Sequence, residues 1–102
     1  MCGITGYINT NKKPVSKGIL KKMADAIKHR GPDGKGIWMN NNVGIAHRRL
    51  SVIDLSNAGN QPMSSKDGRY ILTYNGEIYN YKELREELIL KGYIFFSKSD
   101  TE

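Results

Sequence analysis

The chain has 102 residues, room for one domain. Sixteen Lys and Arg against ten Asp and Glu give a net charge of +6, but the positives are spread over Lys12-Lys13, Lys17, Lys21-Lys22, Arg48-Arg49 and the later helical segment, with no dense basic run among aromatics, so they read as solvated surface and not as a nucleic-acid footprint. One Cys excludes an intramolecular disulfide and fits a reducing compartment, no run approaches the ~18 apolar residues of a membrane helix, and the N-terminus has no apolar leader, so the expected setting is the cytoplasm with no membrane partner.

The chain opens Met1-Cys2-Gly3-Ile4-Thr5-Gly6. Removal of Met1, favoured by a small second residue, would leave Cys2 carrying both a thiol and a free α-amine. Thiols titrate near ~8.5 and α-amines near ~8, so nucleophile and base would sit a few bonds apart with both usable close to neutral pH. Taken alone, a single terminal Cys identifies no site, and a Cys in a frayed end is the plainer reading.

Gly3 to Ile8 reads as a short strand with Ile4, Gly6 and Ile8 on one face. Its glycines weaken a strand unless something must approach the backbone closely, such as a substrate beside Cys2. Asn9 to Lys13 is turn-like. Ser16 is a plausible N-cap for a helix whose stripe is Ile19, Leu20, Met23, Ala24 and Ile27. His29-Arg30-Gly31-Pro32-Asp33-Gly34 ends it, and on its residues alone this is an ordinary helix exit with a Pro-Asp-Gly turn.

Gly36–Met39 and Val43–His47 pattern as two strands joined at Asn40-Asn41-Asn42. Ala46 to Asp54 then continues extended, through Val52, Ile53 and Asp54. Arg48 and Arg49 beside apolar residues suit a carboxylate, which one guanidinium holds by two parallel hydrogen bonds; an unliganded surface pair is the alternative for at least one of them. Leu55 to Gly68 is a long loop. Tyr70–Tyr74 is β-rich and leads into Asn75-Gly76, a side-chain amide donor beside an unobstructed backbone N–H, the pair of converging donors that an oxyanion needs. Asn80 with Glu83 resembles a capping box, and Tyr81, Leu84 and Leu88 form the predicted buried stripe of a second helix ending at Lys91-Gly92. Tyr93–Phe96 reads as a last strand.

The opening hexapeptide, His29–Gly34, Ala46–Asp54, Gln61-Pro62-Met63 and Tyr74-Asn75-Gly76-Glu77-Ile78-Tyr79-Asn80-Tyr81, five stretches in register, together resemble the class II glutamine amidotransferase domain of glutamine-dependent asparagine synthetases. The resemblance implies an α+β fold of the N-terminal nucleophile hydrolase type, an αββα sandwich. It also implies residue roles: Cys2 the nucleophile, Asn75 and Gly76 the oxyanion pair, Arg49 the holder of the glutamine α-carboxylate, Glu77 and Asp100 the holders of its α-ammonium. Glutamine is then the small-molecule substrate. No metal or other cofactor is implied for this step, and Cys2, His29 and His47 lack zinc spacing. ATP and magnesium belong to a synthetase domain.

Domains of this family are nearly twice as long and are followed by that synthetase domain. Residues 1–102 therefore read as a partial amidotransferase domain, about the first half of the sandwich, with the synthetase domain absent. Two functional classes follow: the glutaminase portion of an asparagine synthetase, or an inactive truncated form that only binds glutamine or associates with other chains. A third, a small basic nucleic-acid binder, rests on charge alone. Strand faces without partners imply self-association, or packing against the remainder of a parent chain.

Overall fold

A computed structural model describes residues 2–51 and 55–102. The expected extension through Val52, Ile53 and Asp54 and the fate of Met1 lie outside those residues. The fold is mixed α and β with two small sheets. Strand β1 (Gly3–Ile8) leads to helix α1 (Lys17–Ala26) and a 3-10 turn at Lys28–Arg30; β2 (Gly34–Asn40) and β3 (Val43–Arg49) form a hairpin. A second 3-10 turn, Asn57–Gly59, precedes the short pair β4 (Met63–Ser64) and β5 (Ile71–Leu72), and α2 (Tyr81–Leu90) follows.

In the larger sheet β3 lies between β1 and β2, antiparallel to both, with Gly3 opposite Arg48 and Gly34 opposite Arg49. The hairpin loop is only Asn41-Asn42, and Asn41 takes φ 50°. Asn is among the few non-glycine residues that tolerate this left-handed region. The strands are longer than their apolar pattern suggests, since β2 starts at Gly34 and β3 runs on through Arg48 and Arg49.

Alternation along β3 gives the sheet two different faces. Gly44, Ala46 and Arg48 face α1. Ser16 caps that helix, its Oγ accepting from the Ile19 N–H at 3.3 Å. Leu20 and Ala24 are fully buried against the sheet. A Cβ at Gly44 would stand 2.4 Å from Leu20 Cδ1, so the missing side chain is what lets the helix lie so close. Ile45, His47 and Arg49 face the other way. There the His47 ring nitrogen Nδ1 meets Thr73 Oγ1 at 2.8 Å, and the Gln61 carbonyl presses on Gly36. The segments flanking β4 and β5 thus lie on the face opposite α1.

Three local expectations change. The predicted strand at Tyr93–Phe96 pairs with no strand among the described residues; the Phe96 N–H donates to Glu102 Oε1 at 2.6 Å, because the chain end curls back onto it. The side chain of Asn80 caps nothing in α2. Its carbonyl instead accepts from the Leu84 N–H, while the Tyr81 N–H turns back to the Ile78 carbonyl. Nor is the Tyr81-Leu84-Leu88 stripe buried: α2 has no buried residue, and Leu84 is 41% exposed. Among the described residues that helix has no sheet face to cover, since α1 occupies one side of the larger sheet and the segments flanking β4 and β5 the other. The buried apolar side chains among the described residues are accordingly few, namely Val15, Leu20, Ala24 and Ala46.

Leu20 is the largest apolar side chain fully buried among the described residues. Leu20→Ala is expected to lower the unfolding free energy by about 3 kcal/mol, the usual scale for a buried Leu that leaves a cavity. Ile19→Ala, next door but half exposed, is expected to cost under about 1 kcal/mol. Urea unfolding of the two variants measures the contrast; equal losses would mean that α1 does not seat on the sheet through Leu20.

Candidate functional site

Cys2 stands directly before β1, and Arg49 ends the strand paired with it. The Cys2 sulfur accepts the Leu50 N–H at 3.3 Å and lies 3.7 Å from the Leu50 carbonyl oxygen. The helix-exit loop holds both strand ends. Arg30 Nε donates to the Cys2 carbonyl at 3.2 Å. The Asp33 N–H donates to the Arg49 carbonyl at 2.9 Å, and Asp33 Oδ2 accepts the Ser51 N–H at 2.8 Å. Between them, a Cβ on Gly31 would stand 2.3 Å from the Arg48 carbonyl, so the loop can reach the strand only with glycine there.

The two arginines part company. Arg48 turns toward α1, its Nη1 3.9 Å from Asp25 Oδ1, and its buried Nε has no hydrogen-bond partner among the described residues. Arg49 turns the other way and is 92% buried, with Nη1 donating to the Ser56 carbonyl at 2.6 Å and to Asn60 Oδ1 at 2.8 Å. Among the described residues no carboxylate pairs with it. A buried cation held by neutral acceptors is suited to receive an anion.

Behind Arg49 lies His47, 1% exposed. Burial first, and the charge of Arg49 second, lower its pKa from 6.5 to about 4. It is thus a neutral ring at physiological pH, hydrogen-bonded to Thr73, with a buried Nε2 that has no partner among the described residues.

One cleft of about 520 Å³ is lined by Cys2, Arg49, Asn75, Gly76, Glu77 and Asp100 together. All six residues singled out from the sequence meet there, although they span the chain from end to end. Asn75, Gly76 and Glu77 are exposed on the segment between β5 and α2. A Cβ on Gly76 would stand 2.6 Å from the Tyr74 hydroxyl, so the Tyr74 ring takes the space of a side chain. Asp100 Oδ2 accepts the Ile78 N–H at 2.9 Å, which draws the chain end up against the Asn75–Glu77 segment.

Gln61 is absent from the sequence-derived set. It is buried beside the cleft, its Oε1 accepting the Tyr74 N–H at 2.6 Å and its Nε2 donating to Thr101 Oγ1 at 3.0 Å. Asp33 was similarly hidden in what reads as a plain turn. Both lie in stretches that carried the family resemblance, and that was their only signal. Among the described residues no group of three His, Cys, Asp or Glu could hold a metal ion, and no helix is long and apolar enough to cross a membrane.

Comparison with known proteins shows the family of the chain. Residues 1–102 match the family described as the glutamine amidotransferase domain, and the chain belongs to that family. It is 49% identical over 107 residues to Asparagine synthetase [glutamine-hydrolyzing] 1 of Bacillus subtilis, a match covering the whole chain and 16% of that protein. Asparagine synthetase [glutamine-hydrolyzing] 2 of the same organism is 46% identical over 105 residues, covering the whole chain and 14% of the relative. Amidase chry2 of Gibberella zeae is 39% identical over 114 residues, again covering the whole chain and 17% of the relative. The chain spans about a sixth of the length of these relatives.

The lowered pKa of His47 gives stability a definite pH slope. The unfolded chain binds a proton at this ring near pH 6.5 and the folded chain only near pH 4. Stability is therefore whole above pH 6.5 and falls as pH drops from 6.5 to 4, by at most about 3 kcal/mol. Urea midpoints across that range, compared with His47→Gln, are expected to show the parent losing stability faster than the variant. Parallel curves would mean that the ring protonates freely in the folded state.

Proposed function

We propose that this glutamine amidotransferase domain hydrolyses glutamine to glutamate and ammonia through a thioester on Cys2, as the glutaminase portion of a longer asparagine synthetase. The observation that carries the reading is the convergence of Cys2, Asn75, Gly76, Arg49, Glu77 and Asp100 on one cleft of small-molecule size. The domain assignment is residues 1–102, as part of an αββα sandwich of the N-terminal nucleophile type. The larger sheet with α1 on one face is consistent with one half of such a sandwich. ATP and magnesium serve only the synthetase part of the parent protein, which makes the parent a ligase of the cytoplasm; the glutaminase step uses no cofactor.

In this mechanism the α-amine of Cys2, free once Met1 is removed, takes the thiol proton. The thiolate attacks the side-chain amide carbon of glutamine. The Asn75 amide and the Gly76 N–H stabilise the oxyanion, a contribution of about 3 kcal/mol per donor to the barrier. The C–N bond breaks, ammonia leaves with the transferred proton, and water cleaves the thioester to glutamate and free Cys2. Arg49 grips the α-carboxylate while Glu77 and Asp100 face the α-ammonium, which selects the free amino acid over a glutamine within a peptide. The neutral His47 leaves Arg49 as the local positive charge for that carboxylate.

A second reading, an inactive glutamine-binding or association module, is favoured by one observation. Leu72, Tyr93, Ile94 and Phe96 all stand exposed around an open groove. Self-association or contact with the rest of a parent chain would cover them. Light scattering after size exclusion at micromolar concentration is expected to give a dimer or larger species; a compact monomer that unfolds cooperatively would remove this reading.

The test of function is reaction with glutamine itself and with a glutamine analogue whose amide is replaced by an electrophilic ketone. Intact mass is expected to show loss of Met1 and one adduct, on Cys2. Glutamate release and adduct should both vanish in Cys2→Ala and in a protein whose N-terminus is extended so that the amine is blocked. Arg49→Lys is expected to raise KM about tenfold with a smaller change in kcat, because a point charge replaces a two-pronged contact. Full activity with a blocked N-terminus would remove the amine from the mechanism, and an unchanged KM would remove Arg49 from substrate reading.

A further inference from the structure

Resting on the glutamine-hydrolysis reading, we propose that Gln61 is a positioning residue that sets the length of side chain the cleft accepts. Three bodies carry the proposed substrate contacts. The larger sheet carries Cys2 and Arg49, the segment after β5 carries Asn75 and Gly76, and the chain end carries Asp100. Gln61 touches all three. Its carbonyl lies so close to Gly36 of β2 that any Cβ there would overlap it, so the residue is seated directly on the sheet. Its side-chain oxygen takes the N–H of Tyr74, the residue before Asn75. Its side-chain nitrogen donates to the hydroxyl of Thr101, the residue after Asp100. The amide is buried and both of its ends are engaged, so rotation or withdrawal would strand polar groups away from water.

The consequence concerns distance. The oxyanion donors meet the amide end of the substrate, and Asp100 meets the ammonium end. One rigid planar amide ties the carriers of those two contacts together and to the sheet. The separation between the two ends of the cleft is then held by that tie, and on the glutamine reading it is the quantity that would distinguish two methylenes from the one of asparagine. Discrimination by one methylene usually reaches only one or two orders of magnitude. Loosening one arm of the tie is expected to remove about tenfold of it, the scale of one hydrogen bond.

Thr101→Val cuts the Thr101 arm and keeps the side-chain shape, Gln61→Met removes both arms, and Thr101→Ser keeps the hydroxyl. The readout is labelling of Cys2 by two electrophilic ketone analogues, one of glutamine length and one a methylene shorter, with iodoacetamide as a length-blind control. Thr101→Val is expected to raise the half-saturating concentration of the longer analogue about tenfold and to narrow its advantage over the shorter. Gln61→Met should do so at least as strongly, the double variant should add little, and Thr101→Ser should restore the preference. Iodoacetamide labelling should stay within twofold throughout, which a general loss of structure would not allow. An undiminished length preference in Thr101→Val and Gln61→Met, or equal losses with all three reagents, overturns the role of Gln61. A parent protein that reacts with iodoacetamide but shows no preference for the longer analogue overturns the glutamine reading beneath it.

Discussion

The cleft depends on the register between β1 and β3. Cys2 stands one residue before β1, and Arg49 is the last residue of β3, so the pairing of Gly3 with Arg48 is what brings thiol and guanidinium to the same end of the sheet. A slip of one residue would turn every side chain of one strand to the opposite face. It would carry the Cys2 sulfur off the Leu50 N–H. Register is usually fixed by burial of one apolar face, yet β1 is mostly exposed or half-buried. Here the fixing contacts are polar and lie at the strand ends. Arg30 takes the Cys2 carbonyl, and Asp33 brackets Arg49 and Ser51 with its own backbone and side chain. The loop between α1 and β2 therefore locks the register that the strands alone hold weakly.

That locking requires backbones to approach one another more closely than side chains permit. Gly31 meets the Arg48 carbonyl, Gly36 meets the Gln61 carbonyl, and Gly44 admits Leu20. In each case a methyl group would overlap its neighbour. The three sites surround β3: the exit loop crosses its end, the Gln61 segment covers one face, and α1 covers the other. The glycine cost in strand stability is borne at the positions where the layers come nearest.

Much of this was legible in the sequence wherever a local rule applied. The Ser16 cap, the α1 stripe and the Asn-rich hairpin turn each depend on residues a few positions apart; the cap forms as expected, the stripe buries Leu20 and Ala24 but leaves Ile19 exposed, and the turn shortens to Asn41-Asn42. Residues 93–96 mislead because β-propensity describes a surface that fits a sheet and cannot supply a neighbouring strand. The apolar stripe of α2 fails as a burial signal for the same reason, since amphipathicity marks a face that wants a partner, whether or not the described residues include one. The roles of Asp33 and Gln61 were hidden differently. A Pro-Asp-Gly turn and a Gln in a polar loop look ordinary, and their partners lie at least a dozen residues away. Five of the six cleft residues were found through their type and their place in family-like stretches, not through any periodicity; Asp100, outside those stretches, was assigned by the resemblance, and the convergence of all six is a property of the folded chain alone.

The ambiguity between Arg48 and Arg49 is resolved by the strand's two-residue period. Neighbours on β3 must point to opposite faces, so only one of the two guanidiniums can reach the cleft. Arg48 goes to the α1 face, where Asp25 stands near it and its charge is partly met within the fold. Arg49 goes to the cleft, where its acceptors are the Ser56 carbonyl and the Asn60 amide oxygen. Those contacts fix the plane of the guanidinium without cancelling its charge. The nearest titratable neighbour on the same face, His47, is kept neutral by burial and by Arg49 itself. Among the described residues no carboxylate pairs with Arg49, and a buried cation without such a partner is costly to a fold. A ligand carboxylate arriving at Arg49 would offset that cost, which makes the buried guanidinium a source of affinity for an anionic group at that end.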